Sequence, residues 1–220
     1  MSADSSTERW GRTGVEWRRA EFILTALGFL GFITLAIRIK TIYSGLPAHP
    51  LFIHVPVVLI PLSVLGALAC IARPRWFDRY GILLCLCAIT AMSSIFLAMR
   101  AGAALEGALH LSGPTAQLIQ EHSHAAHILA IVFVAFTAVL ILSFSAHRIS
   151  GGRPTGLGIA DTLLGSRAAY LGLRILLVML ALVSAYYVYR VGDLGAKAVW
   201  EGRLQAPSGG FPGGAPASPP

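Results

Sequence analysis

The sequence predicts an all-α integral membrane helical bundle of five transmembrane helices, a four-helix core preceded by one N-terminal span. Three observations carry this prediction. Of the 220 residues 55% are apolar and only 12% charged, whereas a soluble domain carries about 45–50% apolar and about 25% charged residues. Five apolar stretches approach the roughly 20 residues that cross a bilayer core at about 1.5 Å per residue. The Lys and Arg residues fall in short clusters between those stretches. So little charge excludes a water-facing surface of the usual kind, and so much apolar surface excludes disorder over most of the chain.

Residues 1–19 are polar and charged and read as a cytoplasmic tail; residues 20–43 hold the extra N-terminal span, whose apolar part, 22–37, is short and ends at Arg38 and Lys40. A cleaved signal is not expected, because acidic residues precede the apolar run and no small-residue cleavage site follows. Arg18-Arg19 is followed by Ala20-Glu21, a poor match to a twin-arginine signal. Residues 51–72, 80–99 and 125–146 contain no Asp, Glu, Lys or Arg. In 125–146 the Ile, Leu, Val and Phe residues together favour insertion by roughly 4–7 kcal/mol. The last span, 168–189, includes Arg174, whose stem can carry its charge to the nearer interface. These four spans form the membrane domain, residues 44–200. The remainder, 201–220, is dominated by Pro, Gly, Ala and Ser and reads as a disordered tail.

Between the third and fourth spans, residues 100–123 read as an outer loop with short surface helices, broken at Ser112-Gly113-Pro114. Residues 147–169, rich in Gly, read as an irregular inner loop. Counted over alternate loops, eleven cations lie on the N-terminal side and six on the other, so the N-terminus is expected inside and the C-terminus outside. The net charge of +7 therefore reports orientation and contact with anionic lipid heads. Nucleic acid is not an expected partner, since no basic face or recognition motif is present. Cys70, Cys85 and Cys87 fall within spans and read as small buried residues. No nucleophile elbow, phosphate loop or zinc-protease motif occurs, so independent hydrolase or transferase activity is not expected.

Histidine carries the functional signal. Of seven histidines, His49, His54, His110, His122, His124 and His127 belong to the outer half, and only His147 to the inner end. His54 and His127 lie at matching shallow depth in the second and fourth spans, where two imidazoles could clamp a haem b between facing helices. His122 is an alternative partner; His124 shares a helix face with His127, and His49, before Pro50, could cap the site or bind a ligand. Each of these histidines could equally hydrogen-bond at the wet interface. Glu106 and His110, with His122 or Glu121, have the spacing of a small zinc or copper site, which is also that of ordinary i,i+4 contacts. Pro61, inside the second span, should bend it beneath His54.

The run Gly45-Leu-Pro-Ala-His-Pro-Leu-Phe-Ile-His-Val-Pro56 resembles the opening of a bacterial membrane-protein family known as domain of unknown function 2231, marked by His-Pro and then His-x-Pro at the mouth of a span (His49, Pro50, His54, Pro56). Similar too are Arg73-Pro-Arg-Trp76, Ala101-Gly-Ala-Ala-Leu-Glu106, a histidine at the mouth of the fourth span, and the closing Tyr189-Arg-Val-Gly-Asp-Leu-Gly-Ala-Lys-Ala-Val-Trp200, where the family has a Tyr and a glycine turn. The resemblance covers about residues 44–200. It implies a four-helix membrane core in a bacterial cytoplasmic membrane and no established activity. The family's histidines and occasional fusion to redox domains imply a haem or electron-transfer role with a redox partner. Arg100 and Glu106 stand where many relatives carry Thr-Gly and then an acid, and three histidines, His122, His124 and His127, compete for the fourth-span position. The alternative is a non-catalytic scaffolding or accessory subunit of a membrane complex, suited by the small residues Gly28, Gly31, Gly66 and Ala69.

Overall fold

The computed structural model describes residue 28 and residues 42–43, 46–108, 113–152 and 158–204. The first tail, all of the expected N-terminal span but residues 28, 42 and 43, most of the last tail and His110 lie outside the described residues. A two-residue antiparallel ladder, β1 (Ile42–Tyr43) with β2 (Leu46–Pro47), pairs Ile42 with Pro47 and Tyr43 with Leu46. It leads into α1 (Ala48–Phe52), α2 (His54–Ala72), α3 (Arg75–Ala108), α4 (Pro114–Ser150), the short α5 (Gly158–Leu164) and α6 (Arg167–Leu204). Among the described residues, four helical segments are long and apolar enough to cross a membrane: α1 with α2, then α3, α4 and α6.

The helices outrun the spans read from composition. At about 1.5 Å per residue, the 37 residues of α4 extend for about 55 Å, well beyond a hydrocarbon core of about 30 Å. Residues 100–108 therefore continue α3, and residues 114–123 open α4, where separate surface helices were expected. The break falls at the expected place. Gly113 adopts φ +70°, a region open to glycine, and Pro114 starts α4 where its missing N–H costs nothing. The segment 147–169, expected to be irregular, carries the end of α4, all of α5 and the start of α6. The glycine turn implied near the C-terminal end is absent: Gly192 and Gly195 lie inside an unbroken α6.

The four long helices form a closed ring. α2 packs on α3 and α6, and α4 packs on α3 and, most extensively, on α6; the diagonal pairs α2–α4 and α3–α6 barely touch. The centre holds Ile60, Phe77, Phe133, Phe136, Leu140, Phe144 and Leu177 with Ala67, Ala88, Ala91, Ala181 and Cys85. The Phe133 and Phe136 rings stack at 5.1 Å. Cys70 and Cys85 are buried free thiols and Cys87 is partly buried. Large apolar side chains cover the outside instead, among them Val58, Leu65, Leu83, Ile131 and Ile175, the distribution a lipid solvent requires. Three buried hydroxyls bond within their own helices: Ser63 donates to Leu59 O (2.7 Å), Ser94 to Ala91 O (2.7 Å) and Thr137 to Phe133 O (2.8 Å).

The two ends of the bundle differ. At the arginine end, Pro74 separates α2 from α3, Arg174 of α6 donates to the Ile71 carbonyl at the end of α2, and Arg73 and Arg79 lie over the rings of Trp76 and Tyr80. His147, near the end of α4, meets the Asp78 carboxylate in the first turn of α3 at 3.3 Å. The opposite end carries the remaining described histidines.

Helix approach at the arginine half depends on Gly81, where an added Cβ would fall 2.4 Å from the Phe144 ring; at Gly66 it would fall 2.7 Å from a methyl of Leu84. The ring has nowhere to turn within the core, whereas the leucine tip can rotate. Gly81→Ala is therefore expected to destabilise the bundle by about 1–3 kcal/mol and Gly66→Ala by less, read as unfolding midpoints in mixed micelles. Equal midpoints for the two variants would contradict this packing.

Candidate functional site

Glycine inside a helix costs about 1 kcal/mol relative to alanine, so helical glycines beneath side chains from other elements repay attention. Two of them, Gly102 of α3 and Gly195 of α6, lie at the histidine end, each beneath an imidazole. A Cβ on Gly102 would sit 3.0 Å from His49 Nδ1, and one on Gly195 would sit 3.2 Å from His122 Cε1. The missing side chains are what let the rings lie against the helices.

The two seats share one construction. His49 comes from α1, which packs on α3 and is anchored by the fully buried Ala48. Its Nδ1–H donates to the carbonyl of Ala98 at 2.9 Å, four residues before Gly102. His122 comes from the first part of α4, and its Nδ1–H donates to the carbonyl of Val191 at 2.9 Å, four residues before Gly195. Each ring thus takes the spare lone pair of a helix carbonyl and covers the glycine one turn on. A carbonyl only accepts, so the hydrogen must reside on Nδ1. In its neutral form each ring then presents Nε2 as a lone pair. Among the described residues, neither Nε2 has a hydrogen-bond partner.

The structure brings these two rings together. Their centroids are 6.2 Å apart and their planes 87° from parallel. Two neutral imidazoles whose other nitrogens donate to backbone carbonyls have the second-sphere arrangement of metal-ligating histidines. Two metal–nitrogen bonds of about 2.0–2.1 Å, each extended by roughly 1 Å from nitrogen to ring centre, span about 6 Å. Buried Ala98, Ala101, Ala125 and Leu194 flank the pair along the helices. Two turns farther into the bundle on α6, Ser184 is fully buried and its hydroxyl has no partner among the described residues.

His54 and His127 are not brought together. They stand on α2 and α4, a diagonal pair of the ring rather than neighbouring helices, and both are exposed. Each Nδ1 bonds within its own segment, His54 to Leu51 O at 3.3 Å and His127 to Ser123 O at 2.7 Å. Their matching depth does not translate into a shared site, because depth says nothing about the direction a residue takes around the helix. His124 is also exposed and lines a cleft between α4 and α6 with Gln120, Glu121, Ala125, Ile128, Tyr186, Tyr187 and Arg190. Glu106 is exposed near the end of α3, and among the described residues no group of three or more His, Cys, Asp or Glu side chains converges.

Sequence reasoning named His49 and His122 but ranked them behind His54 and His127, and it missed the glycine seats. In the fold, position around α4 separates His122 from His127. His122 lies at the spacing of the buried stripe Ala125, Leu129, Phe133, Phe136 and Leu140, and His127 does not.

The tautomers provide a direct check. In 15N spectra recorded where the rings are neutral, His49 and His122 are both expected as Nδ1–H tautomers. Gly195→Val, which places a branched side chain beneath the ring, should displace His122 and alter its signals while leaving those of His49 in place. An Nε2–H tautomer at either ring would show that its carbonyl bond does not form.

A family model described as predicted membrane protein (DUF2231) matches residues 45–207. No curated protein and no solved structure matches the chain.

Proposed function

Because the chain belongs to the DUF2231 family of membrane proteins, we propose that it is an electron-transfer protein holding a b-type haem at the histidine end of its bundle. His49 and His122 would hold the haem iron in this reading. The single observation that carries it is the 6.2 Å separation of two imidazoles, each seated on a helix carbonyl and a glycine. The donor set fits the group: two imidazole Nε2 atoms on rings oriented by backbone carbonyls and set among apolar side chains.

Bound haem would supply reversible one-electron transfer. The chain's own part is orientation and exclusion of water. The Ala98 and Val191 carbonyls hold the rings in one tautomer and raise the basicity of the opposite nitrogen. Gly102 and Gly195 allow the rings to approach the helices, and the flanking alanines and Leu194 keep water from the pair. The cation count on alternate sides supports an outward-facing histidine end in this reading, where a redox partner would meet it. His54 and His127, being exposed and bonded to their own segments, have no role in ligation.

A second reading, an accessory subunit of a membrane complex, draws on the exposure of α6. Only 17% of its most apolar stretch is buried, against 33–50% in the other spans.

Protein purified from haem-replete cells is expected to show a b-type reduced-minus-oxidised spectrum. His49→Ala and His122→Ala should each lower haem content at least about tenfold, a loss of 1.4 kcal/mol or more in binding, while His54→Ala and His127→Ala should leave it unchanged. A colourless preparation that co-purifies with a stable partner would favour the accessory subunit. Orientation can be read in intact cells with an impermeant thiol reagent. It should label Ala103→Cys directly and Ala72→Cys only after lysis; the reverse order would invert the topology.

A further inference from the structure

Beside the histidine pair, on the flank between α4 and α6, lies the cleft of about 520 Å³ lined by Gln120, Glu121, His124, Ile128, Tyr186, Tyr187 and Arg190. This volume falls in the range of small-molecule sites. Its chemistry is graded along the helix axes. Gln120 and Ile128 are eight residues apart, about 12 Å along α4. Over that distance the lining passes from Gln120, Glu121 and Arg190 to Ile128 and the rings of Tyr186 and Tyr187. The tyrosine rings meet edge to face at 5.2 Å, and Tyr186 is exposed on the flank that faces lipid. The cleft thus spans the step from headgroup to hydrocarbon and opens sideways.

We propose that this cleft binds a membrane-diffusing quinone, a neutral planar ring with polar edges and an apolar tail. Its polar end holds one cation, Arg190, and one carboxylate, Glu121. That balance disfavours the phosphate of an anionic lipid, which would face Glu121, and a plain acyl chain would leave Gln120, Glu121 and Arg190 without partners. A quinone ring matches every part of the lining. Its carbonyl oxygens accept from Arg190, Gln120 or His124; the hydroxyl of the reduced form can donate to Glu121. The ring lies among the tyrosines and the tail leaves past Ile128 into lipid. The cleft also adjoins the histidine pair in the chain itself. Glu121 precedes His122, and Arg190 precedes Val191, whose carbonyl holds the His122 ring. The inference rests on the lining of the cleft and stands whether or not the pair binds haem.

The test uses the full chain in nanodiscs of neutral lipid, with a photoreactive quinone bearing a decyl tail. Labelling is expected within residues 120–128 and 186–190, displaced by the unmodified decyl quinone and not by phosphatidylglycerol. Arg190→Gln, at the polar end, and Ile128→Trp, filling the apolar end, should each raise the Kd at least about tenfold, the loss that one charge-assisted hydrogen bond or a blocked seat entails. Both variants should keep their helix content, and two separate positions guard against one failing to fold. His49→Ala should leave labelling unchanged, which separates this result from any failure of the haem reading. Labelling elsewhere, no displacement by the unmodified quinone, or unchanged affinity in both variants would overturn the proposal. Equal displacement by phosphatidylglycerol would also overturn it and assign the cleft to a lipid headgroup.

Discussion

In hydrocarbon every backbone N–H and C=O must find its partner within the protein, and this constraint organises the rest of the structure. It makes the spans helical, and it leaves each helix carbonyl with one lone pair already engaged and one to spare. The short polar side chains of the core use that spare acceptor locally, as Ser63, Ser94 and Thr137 do on their own helices. His49 and His122 use it across elements, tying α1 to α3 and α4 to α6. The same interaction that relieves a polar group in lipid thereby orients two imidazoles and sets their tautomer.

The contrast between the two ends follows from what each bond commits. At the arginine end, charged groups are taken up in structural contacts: Arg174 with the end of α2, Asp78 with His147, and guanidinium groups over Trp76 and Tyr80. At the other end the Nδ1–H of each seated ring is committed and its Nε2 remains a lone pair. The two seated rings lie 6.2 Å apart, centre to centre. The proposed haem site draws on the Nε2 lone pairs, and the neighbouring cleft sets Arg190 beside Glu121 at its polar rim.

Spans and loops were legible to different degrees. Long apolar runs, three of them without charge and the last with Arg174 alone, marked the four described spans because charge is costly in lipid wherever the helix faces. Element ends were not marked, since a composition test stops where polar residues begin, whereas helices α3 and α4 continue into the polar zone on either side of Gly113 and Pro114. The glycines near the C-terminus resembled a turn in sequence. In the fold, Gly195 is a flat place on a straight helix, its reason being the ring of His122 above it.

The histidine cluster shows where such reading stops. Composition and charge alone determined that this is a multi-pass helical protein with its histidines gathered toward one end, because transfer into lipid depends on residue type and position along the helix. Which histidines meet was decided only by tertiary packing. In a soluble bundle an apolar stripe would have shown the inward face of α4, but lipid is as apolar as the core, so outward Ile131 and inward Phe133 read alike. Depth put His54 level with His127. The closed ring of helices set those two on a diagonal and left His49 and His122 side by side, because the direction of a side chain around its helix depends on the neighbours it packs against.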